Sequence, residues 1–164
     1  MSESSDEEPW YAEGLRFSCT MCGNCCTGPP GAVWFDEEEG KKMASALGID
    51  HGSFLKQYTR RISGKWSLKE VRTKHGYDCI LLDRKSRPGA ALCQVYKARP
   101  TQCRTWPFWP ENLEDFETWD DVRRQTPCPG MGSVAPEAFV PLEQVVERLE
   151  EQREATRRSA DPDW

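Results

Sequence analysis

The spacing of apolar residues predicts two helices in the first half of the chain. Residues 36–48 open with a capping pair, Asp36 and Glu39, and close at Gly48, a residue type that often ends helices. Residues 50–62 carry a second apolar face at helical spacing, which predicts one continuous helix. The apolar face of this second helix consists of Phe54, Leu55, Tyr58 and Ile62.

Alternation of apolar and polar residues predicts strands in the middle of the chain. Residues 65–72 alternate as in a short strand, and residues 77–83 form a more strongly apolar one. A Gly- and Pro-containing turn follows, and residues 90–93 are a candidate returning strand. Such a hairpin would bring Cys79 and Cys93 close together.

The second half of the chain returns to helical spacing. Pro100 is placed to begin a short helical turn that carries Cys103 and ends at the next proline. A longer helix is predicted over residues 112–125, with Phe116, Trp119 and Val122 on its apolar side. Residues 141–159 form an amphipathic helix that loses its apolar face after Leu149, where we expect fraying.

These elements predict an α+β fold: a small single domain with helices around a short β-hairpin and with cysteine loops organised by metal. We expect three parts: an acidic disordered tail (1–12), a cysteine-cluster metal-binding domain (13–135) and a C-terminal amphipathic helix (136–164). The hydrophobic content is only 37% and the mean hydropathy is −0.76. A core this modest would benefit from cross-links.

The start of the chain and the lack of a long apolar run indicate a cytoplasmic protein. The sequence MSESSDEEPW is acidic and polar, whereas a signal peptide is basic and then apolar. No run is long enough to span a membrane. Thiols stay reduced in the cytosol, so dense cysteines there indicate metal binding or catalysis rather than disulfides.

Eight cysteines are the candidate metal ligands: Cys19, Cys22, Cys25, Cys26, Cys79, Cys93, Cys103 and Cys128. The first three repeat the C-x2-C spacing that suits zinc, and they match the local run of bacterial ferredoxins. Neighbouring side chains usually diverge, so we expect Cys25 and Cys26 to serve different metals or to bridge two close ones. Eight thiolates fill two four-coordinate sites, although a polynuclear cluster would use the same ligands.

Other residues give weaker indications. A plain alternative for Cys79 is a buried apolar role, and we expect His51 and His75 in surface turns rather than as ligands. The aromatic segment 106–109 suits core packing over the metal loop. Residues 55–76 carry a charge of +6, which suits RNA, an acidic protein or the chain's own tail, although a solvated surface is the plainer interpretation. The net charge of −5 and the absence of an RNA motif argue against nucleic acid.

The cysteine motifs together resemble the YkgJ-type cysteine-cluster family, whose CxxCxxCC domain is described as zinc- or iron-chelating. The resemblance covers about residues 17–132 and includes "CTMCGNCC", "DCILLD", "CQVYKARPTQCRTWPFWP" and "CPGMG". The family's central motif is matched by Cys93, Tyr96, Arg99, Pro100, Cys103 and Arg104. A related cluster occurs in flagellin lysine methylases, but they carry further sequence that this chain lacks, so methylation is not implied.

Buried thiolate–metal groups carry negative charge and need cations or N–H donors around them. Arg99 and Arg104 flank Cys103 and are candidates for this role, with Tyr96 beside them as a further cofactor-binding candidate. The sequence thus predicts a protein that binds zinc, iron or an iron–sulfur cluster. The alternatives are a redox-active iron–sulfur enzyme or electron carrier, or a zinc-stapled interaction module. No catalytic Ser/His/Asp group, phosphate loop or H-E-x-x-H motif favours an enzyme.

Overall fold

The computed structural model describes residues 7–160 and 164, and this part of the chain has the predicted α+β fold. The predicted tail, residues 1–12, lies partly outside it, because residues 1–6 are not described. The helices are α1 Glu37–Leu47, α2 His51–Tyr58, α3 Thr101–Thr105, α4 Phe116–Gln125 and α5 Leu142–Ser159. The strands are β1 Leu15–Arg16, β2 Thr59–Ile62, β3 Lys65–Leu68, β4 Glu70–Thr73, β5 Gly76–Cys79, β6 Leu82–Asp83, β7 Leu92–Cys93 and β8 Phe139–Val140. Antiparallel pairs join β1 to β8, β2 to β3, β4 to β5 and β6 to β7.

The first predicted helix is confirmed together with its capping box. The Asp36 carboxylate accepts a hydrogen bond from the Glu39 N–H at 2.9 Å, and the Glu39 carboxylate accepts one from the Asp36 N–H at 2.9 Å. Gly48 ends the helix in the left-handed conformation, with φ of 70°. The local sequence signals therefore fix both ends of α1.

The second predicted helix is too long, because α2 ends at Tyr58 and the next four residues form β2. The chain reverses at Ser63 and Gly64, whose φ angles of 51° and 82° are both left-handed. Two consecutive left-handed residues make a tight hairpin turn, so Ile62 pairs with Lys65. Of the predicted apolar face, Phe54, Leu55 and Tyr58 lie in α2, and only Ile62 belongs to the strand.

The predicted strands are confirmed in place but are divided differently. Residues 65–72 form two strands, since β3 pairs with β2 whereas β4 pairs with β5. The apolar run 77–83 is also split, because β5 ends at Cys79 and β6 begins at Leu82. The hairpin that returns along β7 is confirmed, and its register places Cys93 opposite Leu82.

The α4 helix begins later than predicted. Asp115 is its N-cap and accepts a hydrogen bond from the Thr118 N–H at 2.7 Å, so the residues before it lie outside the helix. Phe116, which we predicted on the apolar side, is 62% exposed and meets Trp10 edge to face, with ring centroids 5.9 Å apart. Trp119 is buried as predicted.

The expectation that α5 frays past Leu149 is wrong, because the helix continues to Ser159. Gln152 and Ala155 are buried in this last part. The Gln152 side-chain oxygen accepts a hydrogen bond from the Thr105 hydroxyl at 3.0 Å. A polar contact with α3 therefore stabilises the part of α5 that lacks large apolar residues. None of the helices in residues 7–160 is long and apolar enough to span a membrane.

Two hydrophobic cores lie on either side of the cysteine-bearing loops. The first consists of Phe35, Met43, Ala44, Phe54, Leu68, Leu81 and Val95, and Cys79 and Cys93 pack against it. The second consists of Phe108, Leu113, Trp119, Met131, Val140, Val145 and Leu149, and Cys128 packs against it. The cysteines therefore lie where the two cores meet.

Candidate metal centre

The loop that carries the first four cysteines has an unusual backbone. Met21 and Gly23 both have left-handed φ angles, of 56° and 79°. The chain then makes a single 3₁₀ turn in which the Cys26 N–H donates to the Gly23 carbonyl at 2.9 Å. The Asn24 N–H lies 3.5 Å from the Cys22 sulfur, as expected for a C-x2-C turn that directs amide protons at a metal-bound thiolate.

Hydrogen bonds hold this loop to segments that carry distal cysteines. The Met21 carbonyl accepts from the Ala91 N–H at 2.9 Å, next to β7. On the other side, the Asn24 side-chain amide donates to the Pro127 carbonyl at 2.6 Å. Close contact also fixes Gly130, where a β-carbon would lie 2.0 Å from the Ser18 carbonyl. The cysteine loop is therefore positioned between the β6–β7 hairpin and the loop of Cys128.

The distal cysteines have their own supports. Arg84 forms a bidentate ion pair with the buried Asp78 carboxylate, at 2.7 and 3.1 Å, and this pair fixes the strand that ends at Cys79. Cys103 lies on α3, whose first residue Thr101 donates two hydrogen bonds to the Glu39 carboxylate of α1, at 2.8 and 2.6 Å. Separate side-chain interactions thus position these two cysteines.

All eight predicted ligands line two adjoining cavities of about 510 and 230 Å³. Three cysteines line only the larger cavity: Cys26, Cys79 and Cys93. Two cysteines line only the smaller cavity: Cys22 and Cys128. Both are lined by Cys19, Cys25 and Cys103, which therefore lie at the junction. The fold thus brings together cysteines that are up to 109 positions apart in the sequence.

The side chains of Cys25 and Cys26 do not diverge as we expected, since their sulfur atoms lie 3.8 Å apart. The 3₁₀ turn tilts both side chains toward the cavities. A tetrahedral ion with metal–sulfur distances of about 2.3 Å has sulfur–sulfur edges of about 3.8 Å, so the spacing suits thiolates at one metal or at two touching metals.

The remaining sulfurs surround the cavities at wider spacing. In residues 7–160 and 164, no three cysteine, histidine or carboxylate side chains already form the arrangement of an ion site. All eight cysteines are free thiols. The donor set fits zinc or iron chemically, and binding requires the cysteine loops to close around the metal.

The surroundings of the thiols favour their protonated form. Burial raises the pKa of Cys79 to about 11, and the nearby Cys93 adds to this rise. Burial also raises the pKa of Cys103 well above its ordinary value. The pKa of Cys25 is raised first by its hydrogen bond with Cys26 and then by burial. A metal must therefore displace protons when it binds these thiols.

The two candidate arginines occupy different environments. The Arg99 guanidinium lies 4.0 Å from the Tyr96 ring centroid, and its Nε donates to the Tyr96 carbonyl at 3.0 Å. Both residues line both cavities. The positive charge of Arg99 opposes the rise in the pKa values of Cys25, Cys93 and Cys103.

Arg104 lines only the smaller of these two cavities, and its charge is already paired. Its guanidinium donates to the Glu151 carboxylate at 2.6 Å and to the Thr101 hydroxyl at 3.2 Å. Both arginines were predicted to have the same role because both flank Cys103. The ion pair across to α5 separates them, and it could not be inferred from local spacing.

The aromatic segment packs around the cysteines, in line with its core-packing interpretation. Phe108 is fully buried, and Trp106 lines both cavities. The Trp109 indole donates to the Gln102 carbonyl at 2.9 Å and meets Trp106 edge to face at 4.8 Å between ring centroids. These rings form an apolar cover over α3 and its cysteine.

The histidines lie apart from the cysteine cavities. His75 is exposed in the turn between β4 and β5, as predicted. His51 is not in a surface turn: it begins α2, is half-buried and stacks on Trp164 with ring centroids 5.9 Å apart. An aromatic partner more than 100 residues away gave no local sequence signal.

Several basic side chains of segment 55–76 have structural partners. Arg60 pairs with the Glu70 carboxylate at 3.4 Å. Arg61 lies over the Trp66 ring at 4.4 Å. Lys69 donates to two carbonyls at the end of α2, each at 3.2 Å. Part of the positive charge of segment 55–76 is therefore engaged in contacts within the protein.

Comparison with known proteins agrees with the cysteine pattern. The chain is 35% identical over 99 residues to the uncharacterized protein MJ0661 of Methanocaldococcus jannaschii, which covers 60% of this chain and 48% of that protein. The chain thus spans about half the length of this curated relative. No solved structure shows a significant match. The sequence model of the family described as "CxxCxxCC: Putative zinc- or iron-chelating domain" matches residues 18–129, most of the chain. The predicted resemblance is therefore confirmed, and the chain belongs to this CxxCxxCC family.

Proposed function

We propose that this protein binds zinc, iron or an iron–sulfur cluster through its eight cysteine thiolates, in two adjoining sites. The observation that carries the proposal is the placement of all eight cysteines around two adjoining cavities. Thiolate sulfur is a preferred ligand of zinc and of iron–sulfur clusters. A reducing compartment such as the cytoplasm would keep these thiols available.

The cavity walls support a division of the ligands into two sets of four. We assign the larger site to Cys26, Cys79, Cys93 and Cys103, and the smaller site to Cys19, Cys22, Cys25 and Cys128. Cys103 belongs with the larger set because the charges of Cys79 and Cys93 act most strongly on it after burial. The contact between the Cys25 and Cys26 sulfurs, at 3.8 Å, then joins the two sites.

Arg99 is the proposed counter-charge of the centre. Four thiolates around a divalent ion leave a net charge of about −2, which a nearby cation stabilises. Arg99 reaches both cavities, and its stacking on Tyr96 holds the guanidinium in place. Arg104 contributes less, because Glu151 neutralises it.

A redox-active iron–sulfur centre is the second candidate function. Iron–sulfur potentials depend on burial and on the apolar surroundings of the cluster. The larger cavity supplies such surroundings through Leu81, Leu82, Val95 and Trp106. This apolar lining favours a cluster that exchanges electrons over a purely structural ion, and it leaves the reaction partner open.

The identity of the metal is tested on protein purified without oxygen. Iron, zinc and acid-labile sulfide are measured on one sample together with its absorption spectrum. Iron with sulfide and absorbance near ~400 nm would establish the iron–sulfur form. About two zinc ions per chain without colour would establish two structural zinc sites. A protein that holds neither metal would contradict the proposal.

The division of ligands is tested with Cys79→Ser and Cys128→Ser. Each variant should lose about half of the bound metal, because each removes a ligand of only one site. His75→Ala is the control, since His75 is exposed in a turn, and it should keep the full metal content. Complete loss of metal in both cysteine variants would instead show one shared cluster.

A further inference from the structure

The larger cavity offers more space than a metal site needs. Its volume is about 510 Å³. Ions lie about 2.3 Å from their sulfur ligands, so a four-thiolate site fills only the space next to the cysteines. Cavities of about 300–1,000 Å³ commonly bind small organic molecules.

One wall of this cavity is apolar and contains no cysteine. It includes Pro29, Ala32, Val33 and Leu68, none of which lines the smaller cavity. This wall therefore lies away from the junction where Cys19, Cys25 and Cys103 meet. A ligand against it would contact carbon atoms rather than sulfur.

Hydrogen bonds fix the backbone of the apolar wall and satisfy its polar groups. The Val33 N–H donates to the Ser67 hydroxyl at 3.0 Å, and the Val33 carbonyl accepts from the Leu68 N–H at 3.1 Å. The Ala32 carbonyl accepts from the Gln102 amide at 2.9 Å. Paired backbone groups leave the side chains as the recognition surface, which is suited to apolar ligands.

Three charged residues line the cavity, and each already has a partner; the Lys69 ammonium donates to two backbone carbonyls at the end of α2, each at 3.2 Å. Glu70 already accepts from the Gly31 N–H at 2.9 Å and pairs with Arg60. Arg99 stacks on Tyr96 next to the cysteines, where it offsets thiolate charge. An anion would be repelled by metal-bound thiolates, and a cation bound against the apolar wall would lose its hydration without meeting an unpaired acid there.

We propose that the larger cavity binds a small, neutral, mostly apolar organic molecule beside the metal centre, with its carbon chain against the wall of Pro29, Ala32, Val33 and Leu68. The proposed ligands Cys79 and Cys93 line the same cavity. The inference goes beyond metal binding, and it rests on the proposed function in that the metal occupies only the cysteine end of this cavity.

The test uses three eight-carbon probes with the metal-loaded, full-length protein, measured by isothermal titration. The probes are 1-octanol, octanoate and octylammonium, which share a chain but differ in charge. Octanol should bind saturably at one molecule per chain, and each ion should bind at least about tenfold more weakly because its charge is desolvated. Absence of saturable octanol binding, or equal binding of either ion, would overturn the proposal.

A filling variant locates the site. Ala32 lines the larger cavity but not the smaller one, so Ala32→Phe fills space at the apolar wall; octanol affinity should fall at least about tenfold while metal content stays unchanged. Val134→Phe is the matched control, because Val134 is 90% exposed and lines neither cavity. Wild-type octanol affinity in a folded Ala32→Phe protein would also overturn the proposal. Metal analysis of the same samples shows whether a loss of octanol binding is accompanied by a loss of metal. The comparison of the three probes tests the proposal on the wild-type protein and does not depend on either variant.

Discussion

At the scale of single residues, Gly23 decides how closely the cysteine loop approaches the β6–β7 hairpin. Its φ of 79° lies in the left-handed region, and a β-carbon there would lie 2.6 Å from the Ala91 β-carbon. Glycine is therefore required for two reasons: the left-handed backbone conformation, and the lack of space for a β-carbon beside Ala91. This close contact lets the loop hold Cys25 at the junction of the cavities and Cys22 in the wall of the smaller one.

Gly23→Ala should lower the free energy of unfolding by about 3 kcal/mol, since left-handed strain and overpacking add. Gly64→Ala is the matched control: its φ is 82°, and no described atom lies within 4 Å of the added carbon. It should cost only about 1 kcal/mol. Urea denaturation of both metal-loaded variants measures the difference, and equal losses would show that contact with Ala91 is unimportant.

At the scale of elements, local signals predicted what the structure builds locally. The capping box of α1, the stop at Gly48 and the β6–β7 hairpin all depend on residues within a few positions of each other. The predictions that were wrong concern helix ends that depend on residues far away in the sequence. The end of α2 depends on pairing with β3, and the extension of α5 depends on a hydrogen bond between Gln152 and Thr105.

The candidate site shows the same limit of sequence reasoning. Motif spacing identified the cysteines as a set, because C-x2-C turns are local. The division between two cavities depends on how β5, β7, α3 and the loop of Cys128 converge. The role of Glu39 shows this well, since the sequence assigned it to the cap of α1 but not to α3, 62 positions away.

Glu39→Ala should destabilise the protein by about 2–3 kcal/mol and speed metal loss to a chelator. The variant removes the acceptor of three hydrogen bonds, from the Asp36 N–H and from the N–H and hydroxyl of Thr101. Loss of the contacts to Thr101 loosens α3 and therefore Cys103.

Glu38→Ala is the control for this prediction, because Glu38 lies on the same helix and its side chain is 76% exposed. It should change stability by no more than about 0.5 kcal/mol. Identical chelation rates for the two variants would show that α1 does not position Cys103.

At the scale of the whole molecule, cysteines that pack on both hydrophobic cores converge on the two adjoining cavities. Cys79 and Cys93 pack on the first core, and Cys128 packs on the second. Metal binding therefore contributes directly to the free energy of folding, because the ligands from both sides meet only in the native state.

This arrangement predicts opposite pH dependences with and without metal. In the metal-free protein, burial raises the pKa of Cys79 from 9.0 to about 11, so the folded state retains a proton that the unfolded state loses. The corresponding stability is present below pH 9.0 and is lost as the pH rises to about 11, by about 2–3 kcal/mol.

The metal-loaded protein should instead keep its stability across that range and lose it in acid, because protons then compete with the metal for thiolates. Urea denaturation of both forms from pH 4 to 11 provides the measurement, because this range covers both the acid loss and the ordinary thiol pKa of 9.0. Parallel curves for the two forms would contradict thiolate coordination.

The order of the cysteines along the chain has a consequence for biosynthesis. In the proposed division of ligands, the larger site has all four cysteines once Cys103 has emerged from the ribosome, whereas the smaller site also requires Cys128, 25 residues later. A chain emerging from the ribosome can therefore load its first site while the second still lacks a ligand. Metal incorporation would then proceed in the direction of translation, and the first loaded site would organise the loop that awaits Cys128.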